Sequence, residues 1–238
     1  MQLKLFSGKV SKSLRVGMRK RSSKSITSGT HSTMSGWDLW SDGADGEKEM
    51  ALLFLDIRNF TPLVEGHLAH NVIHIIKKLF TSFQAIIQVH HGRIIETTGD
   101  GFYAAFGFDR HVKDAANDAV RSGIAILRNL EIRNDTSFES GNRIEVGIGI
   151  HAGKVATGSI NLGDENHTVV MGYPVNIASR IQAATKELNN NFLVSSTVFQ
   201  LLNSPPANKE CVHVNLKGVK NAFPLHLIGK RYYDDCLI

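Results

Sequence analysis

The sequence predicts an α+β protein, a two-layer sandwich with helices on one face of a mainly antiparallel sheet. Three observations carry this prediction. Short apolar runs of strand length alternate with two long segments of helical period. Their order reads β-α-β-β-α-β, and a further αβ-rich stretch follows it. The chain has 238 residues, 42% of them hydrophobic, enough for one large or two small domains with a buried core.

Each element has a local reason. Ala51-Leu-Leu-Phe-Leu55 is an apolar run ending in Asp56, as expected of a buried central strand. From Leu68 to His90, Val72, Ile75, Ile76, Leu79, Phe83, Ile86 and Ile87 fall at helical spacing, and Gly92 stops the helix. Arg93–Thr97 and Phe102–Phe106 flank Thr98-Gly99-Asp100-Gly101, a hairpin signature. Val112–Leu130 forms a second helix with Ala115, Ala119, Ile124 and Leu127 on its apolar side. Arg143–His151 alternates as a strand, and Gly153 is expected to turn the chain into Lys154–Ile160. Thr168–Met171 is a strand, and Pro174 opens a third helix that runs to Leu188. Phe192–Ser195, Val212–Leu216 and Pro224–Ile228 are late strands, with a short helix at Thr197–Leu202. The whole fits a ferredoxin-like β-α-β-β-α-β palm with an appended αβ subdomain.

Charge divides the chain. Residues 1–36 hold eight Lys or Arg and no acid, whereas the remainder carries a net charge of −3. The basic excess therefore belongs to a Ser/Gly-rich tail, assigned to residues 1–48 as linker or disordered segment. The globular part is assigned to 49–232, and 233–238 form a short C-terminal tail. The acid-free start also has the composition of an organelle transit peptide, and a junction to an upstream domain is a further reading. Contact with an anionic membrane surface is another use of this charge. The mildly acidic body argues against a nucleic-acid surface, and its aromatics do not interleave with Lys or Arg. Two cysteines, Cys211 and Cys236, exclude a disulfide framework and suit a reducing, cytoplasmic setting. No run of about 18 uncharged apolar residues stands out as a membrane span.

Two acids stand out. Asp56 ends the first strand and Asp100 sits in the hairpin tip. If the first two strands lie side by side, these carboxylates and the carbonyl of Ile57 meet at one sheet edge, a hard oxygen site suited to Mg²⁺. Taken singly, an Asp after a strand caps the next helix, and an Asp in Thr-Gly-Asp-Gly forms a turn. His70 and His74 have a metal-capable i, i+4 spacing but no evident third ligand. Gly147, Gly149, Gly153 and Gly158 lack the Lys-Ser/Thr sequel of a P-loop and instead allow close packing and turns.

Four segments together resemble class III nucleotidyl cyclases, the adenylate and guanylate cyclases. Leu53-Phe-Leu-Asp56-Ile-Arg-Asn-Phe60-Thr61 resembles their opening motif, and Ile95-Glu96-Thr-Thr-Gly-Asp100-Gly their second. Val146-Gly-Ile-Gly-Ile-His151-Ala-Gly153 is similar to their central strand. Met171-Gly172-Tyr-Pro-Val175-Asn176-Ile-Ala-Ser-Arg180 is similar to their transition-state motif. The order and spacing match across Ala51 to Ile228.

This resemblance implies that Asp56, Ile57 and Asp100 bind two Mg²⁺ or Mn²⁺ ions. It implies that Asn176 orients the ribose of a purine nucleoside triphosphate and that Arg180 stabilises charge on the transferred phosphorus. Without it, Asn176 and Arg180 would read as a polar helix face. Leu216-Lys217-Gly218 is similar to the segment that supplies a triphosphate lysine, so Lys217 is either that lysine or an ordinary surface one. Phe60 and Thr61 would offer backbone N–H groups to phosphate. The family divides the metal carboxylates and the Asn/Arg pair between two halves of a dimer. Both sets occur here, which implies a two-fold homodimer with shared sites. Two positions read the base, Glu96 and Val169. A carboxylate at Glu96 pairs with the two donors on one edge of guanine, whereas Val169 offers nothing to either purine, so GTP is favoured and ATP stays open. A catalytically silent dimerisation or regulatory module is the rival reading, against which the full set of site residues argues. A diguanylate cyclase is a third, and its Gly-Gly-acid-acid-Phe signature is absent.

Overall fold

The computed structural model describes residues 46–66, 68–136, 143–162, 165–206 and 210–233. The tail up to residue 45, the last residues from 234, and Cys236 among them, lie outside these. The first strand, β1 (Gly46–Ile57), is central because both of its faces are apolar. Ala51, Leu53, Leu55 and Ile57 face one core cluster, while Met50 and Leu52 face another. β1 begins earlier than expected, within the segment assigned to the tail. Gly46–Glu49 pair with Thr157–Lys154 of a later strand, and Lys154 forms an ion pair with Glu47.

After β1 come α1 (Phe60–Glu65), α2 (Ala69–Val89), β2 (Gly92–Thr97), β3 (Gly101–Phe106) and α3 (Val112–Thr136). Then follow β4 (Val146–Leu162), β5 (Glu165–Met171), α4 (Tyr173–Glu187), β6 (Phe192–Ser195), α5 (Ser196–Leu201), β7 (Cys211–Val214) and β8 (Phe223–Leu227). The sheet order is β2-β3-β1-β4-β6-β8-β7, with β5 also on β4. Its first four strands are the ferredoxin-like palm, and the α+β class with its appended part is as expected. The expected neighbourhood of the first two strands is not. β3 separates β1 from β2, because a tight hairpin returns β3 directly against β1.

Helices cover both faces rather than one. α2 and α3 lay Leu79, Phe83, Ile87, Ala115 and Ala119 against the odd-numbered β1 residues. α4 lies opposite, with Ala178 beside Met50, Leu52 and Val155. The cause is visible in the strands: Met50, Leu52 and Ala105 make the second face as apolar as the first. By length and mean hydropathy α2 is apolar enough to cross a membrane, but it carries Lys77 and Lys78 and its buried residues serve this core.

β4 is one continuous strand, not two joined by a turn at Gly153. The glycines of β4 serve a close helix instead. A Cβ at Gly149 would stand 2.2 Å from the backbone nitrogen of Gln182 in α4, and one at Gly153 would stand 2.7 Å from the Pro174 ring. Their bare backbones form the track on which α4 rests.

Candidate active site

The end of β1 and the β2–β3 hairpin tip form a carboxylate corner. Asp56 pairs in register with Gly101 of β3 and Gly147 of β4. The tip is folded by hydrogen bonds from Thr98 N–H to the Gly101 carbonyl (2.8 Å) and from Asp100 N–H to the Thr98 carbonyl (2.9 Å). Ile57 N–H then donates to the Asp100 carbonyl at 3.0 Å, tying the tip to the strand end. Here β3 does what a neighbouring β2 was expected to do. Gly101 is required at this point, since a Cβ would lie 2.5 Å from the Leu55 carbonyl oxygen and 3.2 Å from Asp56 Oδ1.

Burial raises the Asp56 carboxyl above its ordinary value, and the negative charge of Asp100 raises it further. One cation opposes them: Lys186 Nζ, in the last turn of α4, stands 3.6 Å from Asp56 Oδ2. Two carboxylates, a nearby backbone carbonyl and space kept open by Gly101 fit a hard divalent cation. Among the described residues no cluster of three or more His, Cys, Asp or Glu side chains offers a fuller ligand set.

Phe60 and Thr61 follow this corner at the start of α1, just after Asn59, whose φ of 52° is left-handed. The Phe60 ring packs on the main core, so only its backbone can face a phosphate.

Glu96, Val169 and Asn176 come together elsewhere, around an open cavity of ≈ 780 Å³. A bulge at Ile95 shifts the β2 register between Ile94 and Glu96. Phe54 and Tyr103 stack beneath, 4.9 Å apart and within 9° of parallel. The Tyr103 hydroxyl donates to the Val170 carbonyl at 3.2 Å. Burial, reinforced by the Glu96 carboxylate, pushes this phenol up to about 12, so it remains a donor. Val169 is half-buried and paired with Gly158.

Arg180 lies one turn beyond Asn176 on α4, against the Lys217–Gly218 segment. Gly218 has φ of 70°, and a Cβ there would stand 3.4 Å from Arg180 Nη2. The other terminal nitrogen, Nη1, is buried and donates to nothing among the described residues. Such a donor is costly unless a ligand satisfies it. Lys217 itself is exposed.

The expected residues thus form three groups: Asp56, Ile57 and Asp100, with Phe60 and Thr61 following them; Glu96, Val169 and Asn176; Arg180 and Lys217. Lys186 lies six positions beyond Arg180 on α4, roughly 9 Å along the axis and about 120° around it. Arg180 is not among the charged groups that act on Asp56, whereas Lys186 is. Sequence reasoning missed Lys186, Phe54 and Tyr103. Two signals pointed to them: the second apolar face of β1 and its partner β3 for Phe54 and Tyr103, and the last turn of the third helix for Lys186.

A family model described as the adenylate and guanylate cyclase catalytic domain matches residues 43–229. The chain is 31% identical over 169 residues to an adenylate cyclase of Anabaena cylindrica, covering 68% of this chain and 32% of that protein. It is 27% identical over 187 residues to a receptor-type guanylate cyclase of Caenorhabditis elegans, covering 74% and 24% respectively. The chain thus spans about a quarter to a third of the length of these relatives. The crystal structure of the guanylyl cyclase Cya2 superposes with a TM-score of 0.71 at 26% identity, covering 82% of this chain and 98% of that one.

Proposed function

Because the chain belongs to the adenylate and guanylate cyclase catalytic domain family, we propose that it is a purine nucleotide cyclase working as a homodimer. It converts a purine nucleoside triphosphate to the 3′,5′-cyclic monophosphate and pyrophosphate. The ribose 3′-hydroxyl gives its proton to solvent, its oxygen bonds to the α-phosphorus, and the bond from that phosphorus to the bridging oxygen breaks, the electron pair leaving with pyrophosphate. One observation carries the reading. The charges that act on Asp56 are those of Asp100 and Lys186 and not that of Arg180, whose buried Nη1 has no partner among the described residues, which supports a reading in which a complete site takes one set of groups from each of two copies.

Asp56, Asp100 and the Ile57 carbonyl are the residues to hold Mg²⁺ or Mn²⁺, which when bound neutralise phosphate charge and acidify the 3′-hydroxyl. The remaining work falls to the chain. Arg180 turns its free Nη1–H donor and fixed positive charge on the phosphate oxygens as they gain charge. Lys217, beside it, adds a point charge for the triphosphate. Asn176, exposed at the cavity rim, hydrogen-bonds the ribose and so orients the attacking oxygen. Backbone N–H groups of Phe60 and Thr61 meet phosphate oxygens next to the corner.

Glu96 selects the base. Its carboxylate lines the cavity and accepts from guanine N1–H and the exocyclic amine, whereas adenine N1 would face an anion. The reading is therefore GTP. Purified protein given GTP or ATP with Mn²⁺ or Mg²⁺, with both cyclic products quantified, tests it. More cyclic GMP than cyclic AMP is expected, and a clear preference for ATP overturns the role of Glu96.

A further inference from the structure

Asp56 and Asp100 repel one another in a half-buried corner, and one ammonium stands against Asp56. Lys186 is no chance visitor there. The neighbouring turn of α4 is fixed to β4, where Cβ atoms at Gly149 and Gly147 would stand 2.2 Å from Gln182 N and 2.4 Å from Thr185 Oγ1. The helix therefore delivers residue 186 to the corner whatever its side chain does. The other nearby cation, Arg58, is turned to the Tyr232 ring at 4.1 Å. The Lys186 side chain is 53% exposed and can swing out, whereas the Asp56 side chain is 25% exposed and stays.

We propose that Lys186 is the resident counter-charge of the metal corner, an ammonium that a divalent cation must displace, and that it thereby sets the metal affinity of the chain before nucleotide arrives. The inference rests on the corner being the metal site proposed above. The chemistry is competition for the same oxygens. A hydrated monovalent ion gains no more from the carboxylate pair than the ammonium already gives, while a divalent ion gains about twice the attraction at equal distance. Lys186 thus favours doubly charged ions and offsets the Asp56 charge until one arrives. A lysine in a last helical turn also complements the helix dipole, but that role has no bearing on metal affinity.

Mn²⁺ binding to the full chain without nucleotide, followed by the electron-spin resonance of free Mn²⁺, tests this. Lys186→Met is expected to bind Mn²⁺ about two- to fivefold more tightly than the parent, as suits a partly exposed pair. Lys186→Arg, which keeps the charge, is expected to stay near the parent. Equal or weaker binding by Lys186→Met overturns the inference, as does tighter binding by Lys186→Arg to the same extent. Asp56→Asn separates the two layers. Its binding is expected to collapse, and unchanged binding would remove the corner itself from the metal assignment and the inference with it.

Discussion

A single buried imidazole shows how strongly position governs a residue here. His151, on β4, is bonded through Nδ1 to Ser195 Oγ at 2.9 Å and meets the Phe223 ring edge-on. Burial pushes it down to about 4 from an ordinary 6.5. Between those values the unfolded chain takes up a proton that the folded chain refuses. Stability present above pH 6.5 is therefore lost as pH falls, by about 2 kcal/mol at pH 5. Urea titrations at pH 7.5 and pH 5 measure the loss, and His151→Asn is expected to flatten the difference whatever it does to stability as a whole. This histidine was legible as part of a strand but not as a titrating group, because its environment is built by residues more than forty positions away. The proposed catalytic set behaved differently. Asp56, Asp100, Asn176 and Arg180 could be picked out because each sits in a motif whose neighbours set its geometry. Lys186 could not, since a lysine near a helix C-terminus already has an ordinary electrostatic reason to be there.

At the level of elements, periodicity located nearly every helix and strand, and the misreadings have physical causes. Gly153 was expected to turn the chain because glycine often does, yet its neighbours continue a ladder to β1 at Met50 and to the end of β4. The glycine answers to Pro174 of α4 and not to a turn, which is information held in a different segment. The bulge at Ile95 was equally invisible, since an extra residue in one strand shows only against its partner. The helix on the second face followed from the doubly apolar β1, which composition alone did not assign to a partner. The contact between α4 and β4 gives the sharpest prediction at this scale. Gly149→Ala places a methyl group 2.2 Å from a backbone nitrogen that cannot rotate away. It is expected to cost about 3 kcal/mol, at the upper end for overpacking, read as a lower urea midpoint with an unchanged slope. Because α4 carries Asn176 and Arg180 as well as Lys186, cyclic nucleotide production should fall alongside stability.

For the whole molecule, the proposed division of functional groups between two chains sets what a mixture of variants can do. A chain with Asp56→Asn keeps Arg180, and a chain with Arg180→Ala keeps the carboxylates. Each alone is expected to be inactive. If the sites are shared across a two-fold dimer, an equal mixture yields about half mixed dimers, each with one intact site out of two, and hence about a quarter of parental activity. Mixing the purified variants after dissociation measures this, and no recovery would mean that each chain completes its own site.

The unbroken β4 has a consequence for how the molecule comes apart. It is bonded along one edge to β1 from Gly46 to Ile57 and along the other to β6 and β5. Amides held on both sides are the last to exchange with solvent, whereas turn amides exchange early. Asp56 therefore belongs to the slowest-opening part of the protein and Asp100 to one of the quickest, so gentle warming would part the two proposed metal ligands while the sheet remains whole.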